Sequence, residues 1–283
     1  MKNAMQLKAK VRNLSQEWNI APQAVMQTYF AERLLIRISR SRHQSNFVLK
    51  GGFLIASITG HNSRSTKDLD ATLQSVVLDE GTLWSMFEEC VALDVQDGIV
   101  FEIVKIEETR EDDGYPGYRI SLCAHYETIA HEFHIDVTTG DAITPHAITY
   151  QHQALFDEAP IALLAYPVET VLAEKIETIL RRVDLNTRSR DYYDVFLLVC
   201  MRSEEICVTV LGQAIEATMR KRGTEYILDT LTERLETIQG SAVLREYWLN
   251  YQSEFAYASD VKFEDTLQAL NDVLLSAGLL EAS

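Results

Sequence analysis

Residues 68–75 read Asp68-Leu69-Asp70-Ala71-Thr72-Leu73-Gln74-Ser75, so Asp68, Asp70 and Thr72 alternate with Leu69, Ala71 and Leu73. Period two is strand periodicity, and it puts both carboxylates on one strand face with the apolar residues on the other. Two carboxylates held that close repel by about 1 to 4 kcal/mol between a watery and a surface-like dielectric. A cation relieves this repulsion. Mg²⁺ suits, because it binds through one or two carboxylates while keeping waters and taking substrate phosphates. The bland alternative is a solvated edge-strand face, where Asp is common.

Upstream, Phe47-Val48-Leu49-Lys50-Gly51-Gly52 followed by FLIASITG (53–60) predicts a short strand or turn feeding a helix. Backbone N–H groups of the glycine pair can meet a phosphate, as at other helix entrances, unless the pair is a plain turn. Before it, Met1 to His43 is helical in pattern, with Val25, Met26, Tyr29, Phe30, Leu34, Leu35 and Ile38 at three- and four-residue spacing and Pro22 at a helix start. Downstream, a helix is predicted over 79–91 and strands over 99–106, 117–124 and 131–138, with a turn at EDDGYPG (111–117). In the last strand Asp136 lies between Ile135 and Val137, where a charge is costly unless paired or ligated. It is the candidate third metal-side acid.

Past Pro167 the strand signals stop. Val171, Leu172, Ile176, Ile179 and Leu180 define an amphipathic helix, with more helical patterns over 191–201, 204–221, 224–238, 241–253 and 263–279. The expected fold is α+β: residues 1–166 form a mixed sheet flanked by helices, including the N-terminal ones, and residues 167–283 an all-helical domain. The aromatic stretch YWLNYQSEFAY (247–257) reads as helix–helix core.

A chain of 283 residues suits one large or two small domains. Its 47% apolar and 24% charged residues, with only 12 Gly and 5 Pro, exclude collagen, low-complexity disorder and a disulfide scaffold. The formal net charge of -16 repels phosphate and anionic membrane, so any nucleic-acid contact must be local. Cys90, Cys123, Cys200 and Cys207 are scattered without a CxxC pair and are expected as reduced core thiols of a cytoplasmic protein. No run of 18 apolar residues and no export signal is found, so no membrane partner is expected. His131-Glu132-Phe133-His134 is not a zinc motif, because histidines three apart in a strand point to opposite faces.

The stretches FVLKGGFLIASITG (47–60), RSTKDLDATL (64–73), FHIDVTTGDAITP (133–145) and LAEKIETILRRVDLNTRSRDYYDVF (172–196) together resemble the nucleotidyltransferase fold of the AbiEii toxin family. The resemblance implies an enzyme that uses Mg²⁺ and a nucleoside triphosphate to move a nucleotidyl group onto an acceptor. It implies an RNA acceptor, a tRNA 3′ end whose blocking halts translation, and a cognate antitoxin with a DNA-binding winged helix. Carried over to this chain, Gly51 and Gly52 correspond to the phosphate-side loop, Asp68 and Asp70 to the metal pair, and Lys175 and Asp191 to the later lysine and aspartate. Many nucleotidyltransferases have Gly-Ser at the loop, so Gly-Gly here leaves the work to backbone donors.

The residues themselves support further readings. Lys175 flanks the apolar stripe of its helix and can reach triphosphate oxygens with its stem packed, or can be a snorkelling surface lysine. Asp191 is the candidate base or lysine partner, and Asp194 a structural acid. The basic residues Arg37, Arg40, Arg42 and Lys50, then Arg64 and Lys67, then Arg181, Arg182, Arg188 and Arg190, line one pocket if the fold gathers them. Surface pairing with Asp and Glu accounts for many such arginines. The expected nucleotide-binding residues are Lys50, Gly51, Gly52, Arg64, Thr66 and Arg188. Two rival functions stand beside RNA nucleotidylation: nucleotidylation of a protein side chain, and a non-catalytic module that binds nucleotide or a partner.

Overall fold

The computed structural model describes residues 1–64, 66, 68–110 and 116–280; Lys67 and the tip of the expected EDDGYPG turn lie outside these residues. Two compact units divide the chain. Met1–Gly140 with Ile148–Ala165 form one, and Asp141–Ala147 with the residues from Tyr166 onward form the other.

The first unit runs α1 (Ala4–Trp18), α2 (Pro22–Arg40), β1 (Phe47–Lys50), α3 (Gly51–Thr59), β2 (Leu69–Leu73), α4 (Glu80–Val91), β3 (Val100–Arg110), β4 (Pro116–Tyr126), β5 (Ile129–Thr139), β6 (Ile148–His152) and β7 (Ile161–Ala165). The strands form one mixed sheet in the order β3-β4-β5-β2-β1-β7-β6. Strand β2 is parallel to β5 and β1 to β7, and the other neighbours are antiparallel. Along β5, Phe133, Ile135 and Val137 are buried while His134 and Asp136 are half-exposed, so the sheet has an apolar and a polar face. Leu35 and Ile38 of α2 meet Leu49, Ala71 and Ile135 on the apolar face. Each such buried Leu or Ile side chain contributes about 1.5 to 3 kcal/mol. His131 follows the same alternation, stacking on Phe30 of α2 on the apolar side, opposite to His134.

Two strands have no counterpart in the sequence reading. In β6 only His152 is buried, as in an edge strand without apolar alternation, and the run Ile161-Ala162-Leu163-Leu164-Ala165 of β7 lacks the polar residues that mark a period. Cys90 and Cys123 are buried as expected, whereas Cys200 and Cys207 are exposed. The expectation of four core thiols is wrong for that pair.

A polar cluster interrupts the core of this unit. Glu32 on α2, wholly buried, accepts hydrogen bonds from the Leu155 N–H (3.0 Å) and lies 3.1 Å from Nε2 of the equally buried His152. Burial pushes the Glu32 carboxyl well above its ordinary value and depresses both neighbouring imidazoles, to about 4 for His152 and about 3 for His61.

The second unit is helical among the described residues: α5 (Val168–Arg182), α6 (Ser189–Arg202), α7 (Val208–Arg222), α8 (Tyr226–Asp229), α9 (Leu231–Gly240), α10 (Ala242–Glu254) and α11 (Phe263–Ser276). The single helix expected over 224–238 breaks at Thr230, and the one expected from 204 begins at Val208. Tyr193 of α6 packs on Tyr251 and Tyr257, and Trp248 on Phe263; of the 247–257 aromatics Trp248 and Tyr251 are helix core, while Tyr247, Phe255 and Tyr257 are half-exposed. Among the described residues no helix is long and apolar enough to cross a membrane.

Candidate active site

Strand register assembles the acidic residues of the first unit. Lys50 of β1 pairs with Asp70 of β2, and Asp70 with Asp136 of β5. Register partners share a sheet face, with neighbouring strands about 4.8 Å apart, so Lys50, Asp70 and Asp136 stand in one row across the polar face. Thr72 and Thr138 form the next row, and Lys50 Nζ donates to Thr138 Oγ1 at 2.7 Å. Asp68 lies just before β2 rather than within it, and its Oδ1 is 3.4 Å from His134 Nε2. Thr66, buried, donates its hydroxyl to the Asp68 carbonyl at 3.2 Å and so braces the entry to the strand.

The glycine pair opens α3 directly after β1. Gly51 has φ +65, and a Cβ there would run into the Asp70 carboxylate. A Cβ on Gly52 would come within 2.5 Å of Arg64 Nη1, and Arg64 is only 1% exposed. The absence of side chains therefore lets a carboxylate and a guanidinium close on a helix N-terminus, where backbone N–H groups favour anions. This also explains the Gly-Gly sequence, since a serine at position 52 would collide with Arg64.

Arg119 of β4 also lies at this face, a residue that the sequence reading does not single out. Its Nε and Nη2 donate to the two Asp136 oxygens at 2.7 and 2.6 Å, a bidentate charge-assisted pair. A signal was available: strands β4 and β5 are joined through only Glu127 and Thr128, and counting back across so short a turn sets Arg119 opposite Asp136. The donor set of Asp68 and Asp70 fits Mg²⁺, being carboxylate oxygen at a partly solvated site, with Asp68 40% exposed. Arg119 takes one lone pair on each Asp136 oxygen, so Asp136 keeps acceptor positions that an ion can use.

In the second unit, Asp191 and Asp194 project from one face of α6 toward Lys175 of α5. Lys175 Nζ lies 2.6 Å from Asp191 Oδ1 and 3.0 Å from Asp194 Oδ2, and both acids are buried. Asp191 Oδ2 is buried without a hydrogen-bond partner among the described residues. Arg188, exposed, precedes α6, and its backbone N–H donates to Asn186 Oδ1 at 3.1 Å.

The expected single lining of arginines does not hold for three of them. Arg37 is buried and donates to both Asp97 oxygens and to the Ile99 carbonyl; Arg42 pairs with Glu89, and Arg181 with the buried Glu177. The charge of Arg37 is committed to the fold, whereas Arg42 makes an exposed surface pair.

Among curated proteins none matches this chain. Solved structures similar to it include a Helicobacter pylori protein assigned provisionally to the nucleotidyltransferases, at 14% identity over 91% of this chain and 96% of that one, with a TM-score of 0.49. JHP933 from Helicobacter pylori aligns at 14% identity over 91% and 92%, with a TM-score of 0.48. An antigenic nucleotidyltransferase-like protein from Paracoccidioides brasiliensis aligns at 14% over 82% and 93%, with a TM-score of 0.34. The family described as nucleotidyl transferase AbiEii toxin, Type IV TA system, matches residues 33–269, and the chain belongs to that family of toxin-type nucleotidyltransferases.

Proposed function

We propose that this toxin-family enzyme transfers a nucleoside monophosphate from a nucleoside triphosphate to an RNA acceptor, a tRNA 3′ end, and thereby blocks translation in the cytoplasm. The observation that carries the reading is the seating of the Asp70 carboxylate on Gly51 at the start of α3, in one row with Lys50 and Asp136. It puts a metal-binding acid and a phosphate-binding helix end within one side chain of each other. Residues 1–166 would be the catalytic core and 167–283 a helical domain.

Asp68 and Asp70 would hold Mg²⁺, with Asp136 completing the site. Bound there, the ion neutralises triphosphate charge and supports in-line displacement. The remaining work falls to side chains. Lys50 and Arg64 bind phosphate oxygens, Gly51 and Gly52 offer backbone donors, and Thr66 keeps Asp68 in place. Within the helical unit Lys175 takes one Asp191 oxygen, which leaves Oδ2 able to accept a proton. The physiological partner would be an antitoxin with a DNA-binding winged helix, in keeping with a type IV toxin–antitoxin family.

Incubation with Mg²⁺, total tRNA and each α-labelled nucleoside triphosphate in turn tests the reading, beside Asp68→Ala/Asp70→Ala whose fold is checked by circular dichroism. Label should enter RNA from one donor and vanish in the variant. Label on protein alone, or full transfer by the variant, would sink it.

A further inference from the structure

We propose that Glu32, His61 and His152 form a buried site for a late first-row divalent metal ion, zinc foremost, separate from the acidic sheet face. One donor atom from each of the three lies within 4.8 Å of the other two. Glu32 Oε1 and His152 Nε2 are 3.1 Å apart, close to the edge of about 3.3 Å that a tetrahedron with zinc bonds near 2.0 to 2.1 Å requires.

The second observation is His61. Its Nε2 is buried and has no hydrogen-bond partner among the described residues. The ring is stacked on Trp18 and set edge-on against Phe53 and His152, so its direction is fixed by packing. A hydrogen-bonded Glu32–His152 pair alone uses two of the three groups and leaves this nitrogen stranded. A shared ion uses all three.

The surroundings have the form of a ligand shell. His152 Nδ1 is 2.6 Å from Ser57 Oγ, which is 2.7 Å from Tyr150 Oη. Metal-bound histidines commonly donate their second nitrogen to such a partner, which fixes tautomer and ring orientation. Two imidazoles and one carboxylate suit zinc and its neighbours rather than Mg²⁺, which prefers oxygen ligands and retained waters. Glu32 is on α2, His152 ends β6, and His61 opens the loop that carries Arg64, Thr66 and Asp68. The ion would staple the base of that loop to two fixed elements.

The full chain, stripped with a chelator and titrated with Co²⁺ and then Zn²⁺, provides a test that reads no catalytic activity. We expect one ion per chain, with ligand-field bands of low-symmetry nitrogen–oxygen cobalt. His61→Ala should weaken binding by at least about 100-fold and Ser57→Ala by about 10- to 100-fold, while Asp68→Ala/Asp70→Ala binds as tightly as the wild type. His61→Gln serves if the alanine variant loses its circular dichroism. Absence of the bands, equal affinity in the His61 variant, or loss of the ion in the Asp68→Ala/Asp70→Ala protein would overturn the assignment. The last outcome would put the ion on the acidic face and leave the nucleotidyl-transfer reading intact.

Discussion

The acidic group of Asp68, Asp70 and Asp136 and the Glu32–His61–His152 cluster lie in one unit, yet burial and donor chemistry give them opposite characters. The first is partly solvated, all carboxylate, and flanked by the cations Lys50 and Arg119. The second is closed to water, has one acid against two imidazoles, and is walled by Trp18 and Phe53. An open oxygen face suits a hard ion that arrives with substrate and keeps waters. A closed nitrogen-rich cluster suits an ion that stays for the life of the fold.

The largest expected effect separates the two regions by function. Asp70→Asn keeps the shape of the side chain and removes its charge, so nucleotidyl transfer should fall by roughly 1,000-fold or more, equivalent to about 4 kcal/mol of transition-state stabilisation. The zinc content of the same preparation, measured by mass spectrometry, should stay at the wild-type level. Loss of both together would show that the regions are one site.

Next comes stability. Glu32→Ala leaves the Leu155 N–H and His152 Nε2 without their common acceptor in a closed core, which should cost about 2 to 5 kcal/mol in urea unfolding, with chelator present. Asp70→Asn, which removes one of several crowded carboxylates at a partly solvated face, should change unfolding by less than about 1 kcal/mol. Equal costs at the two positions would break the distinction between an open functional face and a closed structural one.

The contrast also explains what the sequence made legible. Asp68 and Asp70 sit two apart where the chain enters β2, so local alternation alone exposes them, and Asp136 shows itself as an acid between Ile135 and Val137. Glu32, His61 and His152 come from a helix, a loop and an edge strand, far apart along the chain, and no spacing rule joins them. His152 is hidden for a further reason: Ile148-Thr149-Tyr150-Gln151-His152 carries no apolar period, so the strand that delivers the histidine leaves no pattern in the sequence. Arg119 was hidden for the same kind of reason, because it meets Asp136 only through hairpin register. The helical unit was legible from Pro167 onward because amphipathic period persists in it, although the break at Thr230 was not. Of the basic residues, composition could not tell Arg37, spent on Asp97, from Arg64, tucked under Gly52.

The smallest effect concerns that last arginine. Restoring the commoner Gly-Ser loop by Gly52→Ser would by simple analogy improve phosphate contact. The geometry argues otherwise, because the new Cβ would come within 2.5 Å of Arg64 Nη1 and a buried guanidinium has little room to retreat. The substitution should destabilise by about 1 to 2 kcal/mol and give no gain in transfer. Arg64→Ala in the same chain removes the obstruction, so the serine should cost less in that background, with a coupling of about 1 kcal/mol between the two positions in a double-mutant cycle. Purely additive costs would mean that Arg64 does not set the identity of residue 52. Coupling of the expected sign would show that the open face, like the closed cluster, is shaped by close packing around a charged group, the difference being that here the space is kept by a glycine.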